Sequence, residues 1–269
     1  MEDSSDRWVL SDWQSVKQWA KSRNDQDIKV TLDILGESSR KKEDVLDAVE
    51  RYKEMITDIA SERLEAAITI KITSLGYFLD REGCLRNVID LGRAADHAKI
   101  GFEIDMEGRS LVDFSLKAAV DCAEDGLKVT IALQAYLDRM RKDLESMLKS
   151  GVKIRLVKGA YAGDTRDFHE IQSSIITFAE TLSEIGVGFA LGTHDPEVLA
   201  WVFRETDQSK DRIELGMLKG LSDKTKLDFA RNGWKVAEYV PFGSNATAYV
   251  QRRLEYLQQL KILGRSPAP

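Results

Sequence analysis

The chain has 269 residues, 43% of them hydrophobic, and a formal net charge of −6, which allows one large α/β domain or two small ones with a substantial core and argues against nucleic acid as the main partner, since phosphate binding favours a basic surface. Its two cysteines, Cys84 and Cys122, match neither a zinc spacing nor a disulfide framework and read as thiols of a reducing compartment. The acidic start is not a secretion signal and no apolar run approaches the ~18 residues of a membrane helix, so the reading is a soluble cytoplasmic protein, with peripheral membrane contact left open.

In chain order, residues 1–25 form a helical arm, with Trp8 and Trp13 ahead of Val16 and Trp19 at i, i+3. From 26 to 263, short apolar strands alternate with helical stretches. The strands are expected at 28–35, 67–73, 99–106, 128–134, 153–158, 187–192, 213–217 and 235–240. Among the helices, Leu137, Met140, Leu144, Met147 and Leu148 make one apolar face that Gly151 closes. Eight such units predict a (β/α)8 barrel, with a doubly wound open sheet as the runner-up. Residues 264–269 read as a flexible tail.

Alternation within the strands predicts which side chains face inward. Ile68, Ile70 and Ile72 oppose Thr69, Lys71 and Thr73; Phe102, Ile104 and Met106 oppose Glu103 and Asp105; Val129, Ile131 and Leu133 oppose Thr130, Ala132 and Gln134. The polar sets then point into the barrel, which brings Lys71, Asp105, Gln134 and Arg155 to the carboxyl ends of the strands, where barrel enzymes keep their chemistry. Lys71 and Asp105 are either an ion pair of the mouth or a polar floor that orients a ligand. Arg155 and Lys158 interrupt an otherwise apolar strand, and charge inside a sheet is costly unless paired or used. They point to an anionic or electron-rich ligand; a Schiff base on a lysine is the alternative.

Thr193-His194-Asp195 follows the sixth strand. With three histidines in the chain, and two of those in helical stretches, no metal site is expected, and His194 is read as hydrogen-bonding a cofactor. The glycines of Gly186–Gly192 lie within a strand rather than at a strand–helix turn, so they are no dinucleotide fingerprint. In the last helix Val250, Leu254 and Leu257 make the core stripe and Arg253 shares its side, so that an anionic partner, such as a carboxylate received by Arg252 and Arg253, is one reading and a solvated surface pair the other.

Taken together, Arg155-Leu-Val-Lys-Gly-Ala-Tyr161, Gln134-Ala-Tyr136, Thr193-His-Asp195 and Arg252-Arg253 resemble the proline dehydrogenase family, which also forms a domain of bifunctional proline-utilisation proteins. The resemblance runs from Leu35-Gly-Glu37 through Ile104-Asp-Met-Glu107 to the last helix. It implies a barrel with non-covalent FAD and a final helix over the mouth. It assigns FAD contacts to Asp105, Met106, Gln134, Arg155, Lys158, Gly159, Ala160, Thr193 and His194. It implies a substrate pocket of Lys71, Tyr161, Leu218, Tyr239, Arg252 and Arg253, with the two arginines clamping the proline carboxylate. Lys71, Asp105, Tyr239 and the arginine pair are the implied catalytic set. The implied reaction is hydride transfer from proline C5 to flavin N5, giving Δ1-pyrroline-5-carboxylate, with electrons passed to a quinone.

The chain departs from the family pattern at Ala162-Gly163, at Glu214-Leu215-Gly216, and at Tyr256, where the family places a glutamate. These departures bear on adenine-side contacts and pocket shape. They keep open a related substrate such as hydroxyproline or an N-alkyl amino acid, and a non-catalytic barrel; Lys158 or Lys71 at a strand's end keeps open a Schiff-base lyase on the same barrel.

Overall fold

The computed structural model describes residues 7–206 and 210–269. Of the helical arm expected over 1–25, residues 1–6 therefore lie outside the description. The rest gives helix α1 (Trp13–Asn24), whose first turn is capped by the Asp12 side chain accepting from the Ser15 amide.

Eight parallel strands follow, each but the last leading into a helix that packs on the outside: β1 (Ile28–Ile34), α2 (Lys42–Glu62), β2 (Ala66–Ile70), α3 (Arg81–His97), β3 (Gly101–Ile104), α4 (Val112–Glu124), β4 (Val129–Gln134), α5 (Met140–Lys149), β5 (Lys153–Val157), α6 (Phe168–Ile185), β6 (Phe189–Gly192), α7 (Pro196–Glu205), β7 (Ile213–Leu218), α8 (Asp223–Arg231), β8 (Lys235–Phe242) and α9 (Thr247–Ile262). The sheet closes on itself through β1 and β8, in register from Ile28 opposite Val236 to Ile34 opposite Phe242. This is the (β/α)8 barrel that the strand count predicts.

The period-2 alternation decides what goes where. Ile68, Ile70, Phe102, Ile104, Ile131, Leu133, Ile154 and Leu156 all turn outward into the main apolar core between strands and helices. Burying each such side chain stabilises the fold by about 1.5–3 kcal/mol. Their polar alternates face the barrel interior. One acid, Glu238 of β8, lies on the outward side and is fully buried there. Arg23 and Trp19 of α1 and Lys226 of α8 donate to its carboxylate, which offsets the cost of burying the charge. The position against β8 and β1 is thus filled by α1, while α9 lies across the mouth.

The first six strands are shorter than the sequence suggests, and β2 and β3 show why. After Ile70 the chain folds back, with amides of Ser74, Leu75 and Tyr77 donating to carbonyls of Lys71 and Ile72, so the ladder ends just before Lys71. Before β3, Lys99 takes φ +60° and the Ile100 amide returns to the Ala95 carbonyl, closing α3 and delaying the strand to Gly101. Gly151, at φ +72° just past α5, ends that helix as expected.

The tail expected to be flexible is laid down on the barrel. The Ala268 amide donates to the His194 carbonyl, Ser222 Oγ donates to the Ala268 carbonyl, and Thr225 donates to Pro269 through both amide and hydroxyl. Its backbone groups find partners far away in sequence, which its Gly- and Pro-containing composition does not reveal.

Candidate active site

A cavity of about 940 Å³ opens at the carboxyl ends of the strands, beneath α9. All fifteen residues singled out from the sequence line it: Lys71, Asp105, Met106, Gln134, Arg155, Lys158, Gly159, Ala160, Tyr161, Thr193, His194, Leu218, Tyr239, Arg252 and Arg253.

Its floor is a buried ionic network. Lys71 Nζ sits 2.6 Å from both carboxylate oxygens of Asp33 and 3.8 Å from Asp105 Oδ2. Burial pulls the Lys71 pKa down, but Asp33 and Asp105 outweigh it and hold the amine above its ordinary value. A lysine held so firmly protonated is a poor nucleophile. Asp105 in turn accepts from Arg155 Nη2 and, at 2.6 Å, from the Tyr239 hydroxyl. Burial pushes its carboxyl up, yet Arg155, Lys71 and Tyr239 bring it below the usual range. Arg155 Nη1 also meets Glu103 Oε2 at 2.8 Å. Arg155, expected to meet an anionic or electron-rich ligand, is paired instead with two acids of the barrel interior.

The roof comes from α9. Arg252 makes two 3.0 Å hydrogen bonds to the two oxygens of Glu37 and lies 5.0 Å from the Tyr161 ring centroid. Burial raises the Glu37 carboxyl, but Arg252 more than compensates and the pKa falls below its ordinary value. Arg253 faces Tyr249, with Cζ 4.9 Å from the ring centroid, and its Nε is buried with no hydrogen-bond partner. Lys158 Nζ lies 4.4 Å from the Tyr256 ring centroid. Burial, and then the nearby Arg253 charge, push this lysine down to about 8. Tyr256 thus puts a ring beneath Lys158 where the family pattern has a carboxylate.

The role expected of His194 changes. His194 lines the cavity, but its Nε2 accepts from the Leu218 amide at 2.9 Å and its Nδ1 therefore carries the proton, donating to Ser222 Oγ at 2.8 Å. Both ring nitrogens are occupied within the protein, and burial pushes the ring down to about 3, so the imidazole is a neutral strut rather than a free donor to a ligand. Asp195, beside it, caps α7 by accepting from the Glu197 and Val198 amides, with Pro196 in the first turn. Thr193 Oγ1 accepts from the Asp195 amide.

The departures acquire physical form. A Cβ at Gly159, which sits at φ +117°, or at Gly163 would overlap the Tyr136 ring, so both glycines make room for that ring, whose hydroxyl accepts from the Tyr161 amide at 3.0 Å. Gly216 presents no side chain to the cavity wall, and a Cβ there would meet only ordinary contacts. Asp33, Glu37, Glu103, Tyr136 and Tyr249 were given no role from sequence. Strand parity marks Asp33 and Glu103 as inward, and Tyr249 precedes Arg252 by one helical turn; those were the available signals.

Among the described residues no helix is long and apolar enough to cross a membrane.

A closed barrel whose mouth is roofed by a cationic helix and floored by paired charges is the frame of an enzyme site. The proline dehydrogenase family model matches residues 16–256: the chain belongs to that family, a family of oxidoreductases. It is 29% identical over 241 residues to proline dehydrogenase 2 of Bacillus subtilis (strain 168), covering 86% of this chain and 78% of that protein. It is 27% identical over 257 residues to proline dehydrogenase 1 of the same organism, covering 92% and 85%. Among solved structures it is similar to proline utilization A from Bdellovibrio bacteriovorus inactivated by N-propargylglycine, with TM-score 0.84 and 20% identity. That likeness covers 93% of this chain and 32% of the other, so the chain spans about a third of that protein.

Proposed function

We propose that the chain oxidises L-proline to Δ1-pyrroline-5-carboxylate with FAD as its cofactor. The observation that carries this reading is the buried, unpartnered Nε of Arg253, which belongs to a residue lining the same cavity as the Lys71–Asp105–Tyr239 floor. A buried guanidinium nitrogen without a partner is costly unless a ligand supplies one, and a carboxylate fits a guanidinium fork.

The residues also fit FAD. A cavity of about 940 Å³ far exceeds what one amino acid needs. Lys158 lines it as a cation with a lowered pKa, which calls for an anionic or electron-rich neighbour. Lys158, Gly159, Ala160, Gln134 and Thr193 are the residues proposed to hold the cofactor. Arg155, Asp105 and Met106 form the wall beside them, and His194 is a strut on the Leu218 side of the cavity. Bound there, FAD supplies the two-electron acceptor for the hydride that leaves proline C5.

The rest is done by the chain. Arg253, with Arg252, receives the substrate acid and fixes the ring, so that rate comes from orientation. Tyr161, Leu218 and Tyr239 wall the pocket, and α9 keeps water out. Lys71 keeps its proton at Nζ and acts as a fixed positive charge, not as a nucleophile. Tyr239 donates to Asp105 and is thereby held in place. A quinone is the proposed class of final acceptor, met by peripheral contact with a membrane. Because Gly216 leaves the wall open, a substituted ring such as hydroxyproline is the second substrate to try.

The test is reconstitution of the full chain with FAD, followed by anaerobic addition of L-proline, hydroxyproline and N-alkyl amino acids. Reduction of the flavin by proline supports the reading. Failure of FAD to bind, or binding without reduction by any of them, ends it.

A further inference from the structure

Helix α9 is seated at its ends. Of its 16 residues only Tyr249 and Leu260 are buried, and they lie near opposite termini. Arg252 and Arg253 lie between them and must nonetheless be held at a fixed angle to the cavity. Tyr249 does not belong to the main core. It sits in a separate small apolar cluster with Trp8, Val9, Leu35 and Leu221, against which Val250 packs. Trp8 is fully buried there. The guanidinium of Arg253 stacks on the other partner in this chain of contacts, the Tyr249 ring, at 4.9 Å.

The segment that carries Trp8 is itself pinned to the barrel mouth. The Leu10 amide donates to the Pro241 carbonyl at 3.1 Å and the Gly243 amide returns to the Leu10 carbonyl at 2.9 Å, where β8 ends. On the other side, Lys219 Nζ donates to the Arg7 carbonyl at 2.9 Å and Arg7 Nε donates to the Gly220 carbonyl at 3.0 Å, just past β7. The approach is so close that a Cβ at Gly220 would overlap the Arg7 carbonyl oxygen. Residues 7–10 therefore span the ends of two adjacent strands and form the seat under the start of α9.

We propose that Trp8 is a positioning residue: the N-terminal arm braces α9 through Tyr249 and so sets where Arg253 meets the acid of the substrate. The proposal rests on the proline reading above. Trp8 does not line the cavity, so it acts through the neighbours of its cluster: Leu218 and Tyr239 pack against that cluster as well, but Tyr249 is the member whose ring carries the Arg253 guanidinium. A side chain far from the chemistry can matter this way because a displacement of about 1 Å in a positioned group can cost on the order of 10²-fold.

The test uses the full-length, FAD-loaded protein with Trp8→Ala, Trp8→Phe and Val9→Ala. Trp234→Leu, which removes a buried indole from the main core away from α9, is the comparator. Trp8→Ala is expected to raise KM for L-proline and to lower kcat/KM on the order of tenfold, and Trp8→Phe to recover most of the loss. Without substrate, amide exchange over residues 247–256 is expected to speed up in Trp8→Ala and not in the barrel strands. Trp234→Leu should lower Tm with KM and α9 exchange unchanged. If Trp8→Ala lowers Tm alone, with KM and α9 exchange as in the parent, the brace is overturned. Should Trp8→Ala not fold, Val9→Ala is expected to shift KM and exchange in the same direction by less, and no shift there overturns it equally. If the parent protein fails to oxidise proline, the functional reading falls, while the exchange measurement still decides whether the arm seats α9.

Discussion

Arg252 and Glu37 face each other as a matched fork, with both guanidinium Nη atoms 3.0 Å from the two carboxylate oxygens. The pair ties α9 to the loop after β1, and it holds one of the two arginines expected to receive the substrate. Glu37 also accepts from the Tyr161 hydroxyl, at 3.4 Å. Glu37→Gln keeps the shape and removes the charge. We expect KM for L-proline to rise on the order of tenfold, with FAD content unchanged, measured by steady-state kinetics on the loaded protein. A KM equal to that of the parent would show that the fork does not set the position of Arg252.

Arg253 has no such tie, and its Nε awaits a partner. Arg253→Met should raise KM by roughly 10² or more, as for a lost buried charge pair, and leave FAD uptake nearly intact. Loss of flavin with unchanged substrate affinity would exchange the roles assigned here.

Lys158 predicts a pH signature. Its amine is pushed from 10.5 down to about 8 in the folded chain, by burial first and Arg253 second. Between these values the unfolded chain binds the proton and the folded chain does not, so stability rises as pH climbs from about 8 towards 10.5. The FAD-free protein should therefore gain stability over that window relative to Lys158→Met, followed by chemical denaturation at each pH. A parallel pH dependence in the two proteins would mean that the lysine is not depressed.

The Tyr136 ring fills the space left by Gly159 and Gly163. Gly163→Ala should force the ring aside, at about 1–3 kcal/mol for an overpacked site, and lower FAD content with it. Thermal denaturation and flavin absorbance of the purified protein check both. An unaltered flavin content would detach this loop from the cofactor.

The barrel was legible because Ile68 and Ile70 alternate with Thr69 and Lys71, and that parity alone separates core from interior. The same rule sent Asp105, Gln134 and Arg155 inward. Partner choice was not legible. Strand parity places Lys71 beside Asp105, yet its close contact is Asp33, a lone acid between Leu32 and Ile34 on a strand 38 residues away. His194 read as a cofactor ligand because nothing in Thr-His-Asp shows that Leu218 and Ser222 take both its nitrogens. The tail read as loose because its anchors, Ser222 and Thr225, are contributed from more than forty residues away. Local periodicity encodes facing; long-range pairing depends on closure of the barrel, which no short window contains.

The most direct measurement is an anaerobic titration of the FAD-loaded protein with L-proline, watched through the flavin absorbance. The account predicts full bleaching at saturating proline, and recovery of the colour when a quinone is added. A chain that takes up FAD and stays yellow with proline and with every other cyclic amino acid offered would contradict it.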